Sequence, residues 1–448
     1  MRSVLLAGCL LLGSLAAFGQ GVDSRYLREI ERLVDSLERR QQVKTAVEQY
    51  EQELFRRETH LHYDMFLPLA RGLFTTATNH TFIENDALLP EKDSPIADYV
   101  PAAAPLVATY AMRLAGLEGR SSDRRLFTAT GLSLALSIGL TQGVKGVVSE
   151  RRPDGTGHHS LPSQHTAIAY MSATILHREY GHLSPWISVG GYGAATLTEY
   201  LRLYHNDHYI NDILIGSGIG IASANLAYFL TDQLFGEDDI RRPRLLLSDV
   251  QRGQRFWAQP TSFALGTGTE FGGKTIEADE VEVLMEGFDG QVMLRTSTTY
   301  AVGLEYSYAF DAHWSTEGVV RLSTAQVKPS VSGTSSWHTA DFTGGDLSQW
   351  HFDVAAKYSL RLSPSSRMNI RLLVGDRLSE GLTLHHSDGT LFARLPRANA
   401  FEFGSGIGCD LLDKERYATG FSIDVLRAVG TDVLPCRYSL TTYWRIIL

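Results

Sequence analysis

The sequence lacks an excess of basic residues. Its 448 residues include 41 Lys and Arg against 50 Asp and Glu, which gives a formal net charge of -9 at pH 7. Because nucleic-acid backbones require a basic surface, this balance argues against a nucleic-acid partner. Only 20% of the residues are charged and 44% are apolar, which leaves no room for a large disordered fraction. The length predicts two or three folded units.

Cysteine is also scarce: the chain has three, and Cys9 lies in an apolar run near the start. This run is too short for a comfortable membrane span, and its basic start is typical of a secretory signal peptide, here residues 1–19. A lipoprotein signal at Cys9 is the less favoured interpretation. After export, Cys409 and Cys436 either pair in an oxidising compartment or remain two unpaired residues in strands.

Helical periodicity covers the first half of the chain. Residues 20–97 form an N-terminal helical region, in which the charged stretch 24–66 predicts an amphipathic helix that packs on the next domain. Residues 98–231 contain apolar segments without alternation, which predict an all-α helical bundle. These segments are 100–117, 126–148, 166–177, 185–197 and 210–230. Charges interrupt several of them, so we expect the bundle to lie outside the hydrocarbon, with an integral multi-span bundle as the alternative.

After a polar linker at residues 232–260, the hydrophobic period changes to two. Residues 261–448 contain about eight such segments and predict an antiparallel up-and-down β-barrel. Strands of 11 to 13 residues and aromatic residues at strand ends favour an outer-membrane barrel over a soluble, lipocalin-like barrel. The aromatic residues are Tyr306, Tyr308, Phe310 and Trp444. An even strand number places both barrel ends on one side of the membrane, which we expect to be the periplasm.

Three clusters between Lys145 and Asp212 contain the residue types that phosphate chemistry requires. A phosphoester dianion must be neutralised before a nucleophile approaches, and fixed cations with backbone amides do this without a metal. In the first cluster, Lys145 and Arg152 are seven residues apart and are expected on one side of a helix that ends before Pro153. Arg202 is expected to supply a third cation.

The second cluster is Pro-Ser-Gln-His at residues 162–165, immediately before an apolar helix. Ser163 is the expected N-cap, so the first free amides, including that of Gln164, are expected to bind an anion. His165 lies at the same helix start. We therefore expect it to act as the general acid that protonates a leaving alkoxide.

The third cluster contains the expected nucleophile. His208 and Asp212 are four residues apart, which predicts one face of a helix, with Asp212 accepting the proton of one imidazole nitrogen. The other nitrogen would attack phosphorus, and water would clear the phosphohistidine. His205 is the nearest rival, but Tyr209 stands four residues after it. A metal site built from the histidines and Asp207 is less favoured, because no His-Glu-x-x-His motif or Cys pair supports it. No cofactor is predicted.

Together the clusters resemble the signature of the type 2 phosphatidic acid phosphatase superfamily, which includes bacterial acid phosphatases and vanadium haloperoxidases. The matching residues are Lys145, Arg152 and Pro153, then Pro162, Ser163 and His165, then Arg202, His208 and Asp212. The resemblance implies that the three cations bind phosphate, that His165 is the acid and that His208 is the nucleophile. Gln164 departs from the family's Gly, and Leu201 departs from its Ser.

The expected function is an exported, metal-independent phosphatase that hydrolyses phosphomonoester or pyrophosphate groups on lipid substrates. Phosphatidate-like lipids, polyprenyl diphosphates and lipid A phosphates all fit this description. The expected location is the outer membrane, with the phosphatase domain facing the periplasm. The alternatives are a vanadate-dependent haloperoxidase, or a non-enzymatic barrel that carries a decayed phosphatase domain.

Overall fold

The computed structural model describes residues 69–70, 72–73, 96–153, 155, 157–205, 207–236, 240, 261–272, 275–276, 281–296, 299–333, 337–363, 366–414, 417–431 and 433–447. The predicted signal peptide, the predicted helix at residues 24–66 and most of the predicted linker lie outside these residues. The described part consists of a helical bundle followed by an antiparallel barrel.

Each of the five apolar segments of the first half forms a helix, so the predicted bundle is confirmed. The helices are α1 (Ile96–Leu114), α2 (Asp123–Val147), α3 (Gln164–Tyr180), α4 (Pro185–Tyr204) and α5 (Ile210–Phe235). The central helix is α3, which is buried along nearly its whole length. The last helix runs to Phe235, into the predicted linker, because Asp232 forms ion pairs with Arg120 and Arg125 at the end of the bundle.

Two glycines of α5 allow α3 to pack unusually close to it. A Cβ atom at Gly216 would lie 2.5 Å from the carbonyl oxygen of Ser163, and one at Gly220 would lie 2.2 Å from that of Ala167. Real Cβ atoms do not approach a carbonyl oxygen so closely, so each position requires glycine in this packing. The contact brings the start of α3 against the start of α5.

The described chain has fourteen strands, numbered in chain order as β1 to β14, and eight of them form a closed barrel. They are β1 (Ser262–Gly272), β5 (Thr299–Ala309), β6 (Trp314–Ser332), β8 (Gly345–Ser363), β9 (Ser366–Ser379), β12 (Ala398–Lys414), β13 (Tyr417–Val429) and β14 (Cys436–Ile447). Each strand pairs antiparallel with the next one in this order, and β14 closes the barrel on β1, where Ser262 lies opposite Ile447. The predicted up-and-down topology is therefore confirmed.

The two ends of the barrel differ. At the short-turn end, only a few residues of sequence separate β5 from β6, β8 from β9 and β12 from β13, and β1 begins there. At the long-loop end, the longer connections contain the remaining strands. These are β2 (Thr275–Ile276), β3 (Glu282–Val283), β4 (Gln291–Thr296), β7 (Phe342–Thr343), β10 (Leu382–His386) and β11 (Leu391–Leu395). They form a cap with its own apolar core, which includes Phe342, Leu384 and Phe392.

The barrel has a charged interior and an apolar exterior. Buried inward-facing cations such as Arg321, Arg371 and Arg445 form ion pairs with buried carboxylates two strands away in the barrel. Outward-facing apolar side chains are exposed, for example Val354 at 57% and Leu372 at 63%. A soluble barrel buries its apolar face inside, so the lipocalin-like alternative is wrong, and this polarity is the one found in membrane barrels.

The structure corrects two expectations and decides between two alternatives that the sequence left open. Both β6 and β8 have 19 residues, so these strands are longer than predicted. Trp444 is not part of an exposed aromatic girdle, because its ring stacks on Tyr192 of α4 with the centroids 4.7 Å apart. Cys409 and Cys436 are both free thiols, so the alternative of two unpaired cysteines is confirmed and the disulfide is not formed.

Candidate active site

The three sequence clusters meet around one cavity of about 650 Å³ at one end of the bundle. Five of the predicted site residues line it, and these are Lys145, Arg152, Gln164, His165 and His208. The other lining residues are Tyr99, Ala102, Ala103, Gln142, Gly146, His159 and Ile168. The remaining predicted residues, Ser163, Arg202 and Asp212, are buried at the same end of the bundle and hold the lining residues in place.

The expected nucleophile lies beside its expected orienting carboxylate. Nδ1 of His208 is 3.5 Å from Oδ2 of Asp212, and both side chains are almost completely buried. The prediction that both lie on one helix is wrong, because α5 begins at Ile210 and Tyr209 is its N-cap. The carboxylate of Asp212 accepts a 2.9 Å hydrogen bond from the Tyr209 amide, which fixes the loop carrying His208 over it. Ser160 donates a second, short hydrogen bond to the same oxygen.

The first two cations also reach the cavity differently from the prediction. The helix α2 ends at Val147, so Lys145 is on its last turn while Arg152 is in the following loop, and the prediction of one shared helix face is wrong. The Lys145 ammonium donates a 2.6 Å hydrogen bond to the carbonyl of His159. A hydrogen bond fixes the backbone at Arg152, because the amide of Arg152 donates to the carbonyl of Gly157 at 2.9 Å.

The third cation is anchored by a carboxylate. Nη2 of Arg202 lies 3.1 Å from Oδ2 of Asp207, and the amide of Asp207 donates to the carbonyl of Arg202. Both side chains are buried. This pair fixes the guanidinium at the end of α4, next to the loop that carries His208.

The start of α3 confirms the predicted N-cap. Oγ of Ser163 accepts a long, 3.4 Å hydrogen bond from the amide of Thr166. The amide of Ser163 donates to the carbonyl of Asp212 at 3.0 Å, which ties the second cluster to the third. Gln164, which departs from the family's Gly, accepts a 2.6 Å hydrogen bond from the side-chain amide of Gln142.

Burial and positive charge lower the pKa of both histidines and so favour their neutral forms. The pKa of His208 is well below its usual value, chiefly because of burial and then because Arg202, Arg152 and Lys145 are near. Burial and Arg202 lower the pKa of His165 to about 4. A neutral His208 has a free lone pair for attack on phosphorus. A bound phosphate dianion would oppose the positive field and favour the protonated His165 that a general acid requires.

Sequence reasoning missed several side chains of the site. The ring of Tyr99 packs edge-on against His165, with the centroids 4.6 Å apart. Ser160 and Asp207 hold Asp212 and Arg202, respectively. Only Gln142 had a detectable local signal, because it precedes Lys145 by three residues and so lies on the same face of α2. The other contacts depend on how the helices pack.

The rival nucleophile His205 does not line the cavity. It is the C-cap of α4, and its ring contacts Tyr204 instead. Among the residues that the structure describes, no group of three or more His, Cys, Asp or Glu side chains is arranged to hold a metal ion.

The arrangement can be compared with known proteins. Residues 126–235 match the PAP2 superfamily. The chain is 31% identical over 259 residues to a "Lipid A 1-phosphatase" of Porphyromonas gingivalis, a match that covers 54% of this chain and 55% of that protein. The chain therefore spans about half the length of this curated relative.

Solved structures match the barrel region at low similarity. They include Ail of Yersinia pestis (10% identity, 42% of this chain and 97% of that chain, TM-score 0.25) and OprG of Pseudomonas aeruginosa (12%, 42% and 94%, TM-score 0.26). Neisserial surface protein A is similar at 7% identity, over 42% of this chain and 97% of that chain, with a TM-score of 0.27. Residues 126–235, which contain the three assembled clusters, are therefore a PAP2 superfamily domain.

Proposed function

We propose that this protein is a metal-independent phosphatase that hydrolyses phosphomonoester or pyrophosphate groups of lipids through a phosphohistidine intermediate. The observation that carries the proposal is the convergence of His208, its carboxylate partner Asp212 and the cations Lys145 and Arg152 on one cavity. A phosphate in this cavity would meet a neutral nucleophile and fixed positive charge, which together lower the barrier to attack on phosphorus.

The proposed reaction has two steps. Nε2 of His208 attacks phosphorus while the bond from phosphorus to the leaving oxygen breaks, and protonated His165 gives its proton to that oxygen. Water then attacks the phosphohistidine, neutral His165 takes a proton from the water, and the bond between phosphorus and His208 breaks to release inorganic phosphate. Asp212 holds the Nδ1 proton of His208 in both steps. The cations bind the non-bridging oxygens of the phosphoryl group throughout.

A phosphorylated lipid is the proposed substrate. The relative from Porphyromonas gingivalis is named for the 1-phosphate of lipid A, which makes a phosphorylated glycolipid the first compound to test. The cavity also opens beside exposed apolar residues of α1, including Val100 and Val107, where acyl chains could lie. Phosphatidate-like lipids and polyprenyl diphosphates remain comparison substrates.

We also propose an outer-membrane location. An outward apolar surface around a charged interior is unstable in water, whereas a bilayer stabilises it. Heat-modifiable migration of the purified protein on gels, as intact outer-membrane barrels exhibit, would support this location. A single migration position before and after boiling would count against a stable barrel. The finer expectation, a site that faces the periplasm, stays a prediction.

The decisive experiment is phosphate release from a panel of lipid phosphates by three proteins. Removal of the nucleophile in His208→Ala should lower kcat by about 10³-fold or more. The matched control His205→Ala removes the rival imidazole three residues away and should keep wild-type activity. Loss of activity in the control alone would transfer the nucleophile role to His205.

The alternatives give different results in the same assay. Vanadate-dependent halide oxidation without phosphate release would favour a haloperoxidase. Phosphate release that does not change in His208→Ala would contradict the proposed mechanism. A wild-type protein that folds, inserts and releases no phosphate from any compound of the panel would favour a decayed domain.

A further inference from the structure

The helix α2 buries polar side chains and exposes apolar ones. The buried side of this helix carries Ser133, Ser137 and Thr141, whereas its exposed side carries Phe127, Leu134 and neighbouring apolar residues. A surface helix of a water-soluble protein has the opposite arrangement. The buried hydroxyls of Ser133 and Thr141 are satisfied by carbonyls of their own helix, so they do not need water.

The two long apolar helices, α2 and α5, differ in how much of their apolar surface is buried. Both α2 and α5 are long and apolar enough to cross a membrane, but 78% of the apolar window of α5 is buried, against 22% for α2. Core packing therefore explains the apolar character of α5, whereas most of the apolar window of α2 stays exposed in the described part of the chain. The neighbouring α1 continues the same surface, with Val107 at 64% and Leu114 at 89% exposure.

The charged residues of α2 lie only near its two ends. In α2, no Asp, Glu, Lys or Arg occurs from residue 126 to residue 144, a length of about 28 Å along a helix. Lys145 and the cavity follow at one end, and Arg113, Asp123 and Asp232 lie at the other end. This length is close to the thickness of the hydrocarbon core of a bilayer, about 30 Å.

The bundle also lies along the outer wall of the barrel. At the short-turn end, Trp186 of α4 packs on Phe263 with the ring centroids 5.9 Å apart, and Tyr417 donates a hydrogen bond to the carbonyl of Gly181. At the long-loop end, Ile213 and Leu214 of α5 share a buried cluster with Tyr300. The helix α4 has 20 residues, about 30 Å, so it follows the wall over most of its height.

These contacts determine which end of the barrel the cavity lies beside. The helices α3 and α4 meet at Gly181, near the short-turn end, while Arg202, His208 and the start of α5 lie near Tyr300 at the long-loop end. Because outer-membrane barrels have short periplasmic turns and longer external loops, the long-loop end is the external end. The cavity would then open at the level of the outer leaflet.

We propose that the bundle lies inside the bilayer beside the barrel and that its phosphate cavity opens to the headgroups of the outer leaflet. The outer wall of a membrane barrel faces the hydrocarbon layer of the bilayer. A bundle that packs along the height of this wall must therefore lie in the same hydrocarbon layer. The occupant of the apolar surface of α1 and α2 is therefore lipid, as it is for the rest of the barrel wall. This placement departs from the sequence-based expectations of a bundle outside the hydrocarbon and a site that faces the periplasm. The placement rests on the outer-membrane location proposed above, but it does not depend on the proposed catalysis.

Spin labels would test the embedding without any need for catalysis. Single cysteines are introduced by Leu134→Cys and His158→Cys in the full chain with Cys9, Cys409 and Cys436 replaced by Ser, and the labelled proteins are inserted into phospholipid vesicles. His158 is exposed in the loop between α2 and α3, so it is the matched water-facing control. We expect collisions with oxygen to exceed those with a water-soluble nickel chelate at position 134, and the reverse at position 158. Equal access of the chelate to both positions would overturn the embedding.

Labelling of intact cells would test the side of the membrane. A membrane-impermeant maleimide should react with the His158→Cys variant in intact cells, because residue 158 lies at the cavity end. The matched variant Leu183→Cys lies at the opposite end, next to Gly181, and should react only after the outer membrane is permeabilised. The opposite pattern would overturn the external placement. Neither readout depends on phosphate release, so failure of the proposed function would be detected separately.

Discussion

Oδ2 of Asp212 lies 3.5 Å from Nδ1 of His208 and accepts the amide hydrogen of Tyr209 at 2.9 Å. One carboxylate thus orients the imidazole and fixes the backbone of the loop that carries it. The distance to His208 exceeds that of a normal hydrogen bond, but such bonds often shorten only when substrate binds. Orientation of the nucleophile therefore depends on a helix start and not on a shared helix face.

The first prediction separates orientation from folding at this carboxylate. The variant Asp212→Asn keeps an oxygen for the Tyr209 amide but loses the charge that holds the imidazole proton, so kcat should fall by about 10²- to 10⁴-fold. The Tm should change little, because the buried amide still has an acceptor. The measurement is kcat for phosphate release together with thermal unfolding in detergent. A lower Tm with unchanged kcat would indicate a purely structural carboxylate.

The second prediction concerns the pH dependence of kcat/KM. The pKa of His208 is lowered well below 6.5 by burial and by nearby cations, and attack requires the neutral imidazole. The acid limb of the profile should therefore lie below pH 6.5. In Arg152→Gln, one of these cations is removed, so the pKa of His208 should rise and the acid limb should move to higher pH. A limb that stays in place while the overall rate falls would mean that Arg152 binds phosphate without tuning His208.

The third prediction concerns the glutamine that replaces the family's glycine. The side chain of Gln164 lines the cavity and is hydrogen-bonded to Gln142, so it occupies space where we propose that phosphate binds. The variant Gln164→Gly keeps the backbone amide and should lower KM for small phosphoesters. The matched variant Gln142→Ala breaks the same hydrogen bond but leaves the glutamine in the cavity, so its KM should fall less. A higher KM in Gln164→Gly would indicate that the glutamine amide binds substrate.

The fourth prediction concerns the close approach of α5 to the start of α3. In Gly216→Ala, the added Cβ would lie 2.5 Å from the carbonyl oxygen of Ser163, so backbone must shift. We expect a loss of about 1–3 kcal/mol in the free energy of unfolding and a lower kcat, because Ser163 and His165 move with the helix start.

The matched control for this prediction is Gly139→Ala. Position 139 is exposed on α2 and has no atom within 4 Å of an added Cβ. Alanine there should leave kcat unchanged and should stabilise the helix by about 0.5–1 kcal/mol. Equal losses in both variants would rule out a specific role for the contact between α3 and α5.

The sequence by itself determined the type of each element and the chemistry of the site. Apolar segments without alternation predicted the five helices, the period of two predicted the eight barrel strands, and spaced clusters predicted the residues of the cavity. These signals are local, because side-chain periodicity and motif spacing depend on neighbours along the chain. The polar cap of α3 at Ser163 was predictable for the same reason.

Only the tertiary structure decided how these elements meet. It placed residues that are distant in the chain in contact, such as Tyr99 with His165 and Gln142 with Gln164. It also placed Arg152 and His208 in loops, where the sequence predicted helices. It also placed the bundle along the barrel wall, where Tyr192 stacks on Trp444. Such contacts join residues far apart in the chain and arise from packing of whole surfaces, for which the sequence has no local signal.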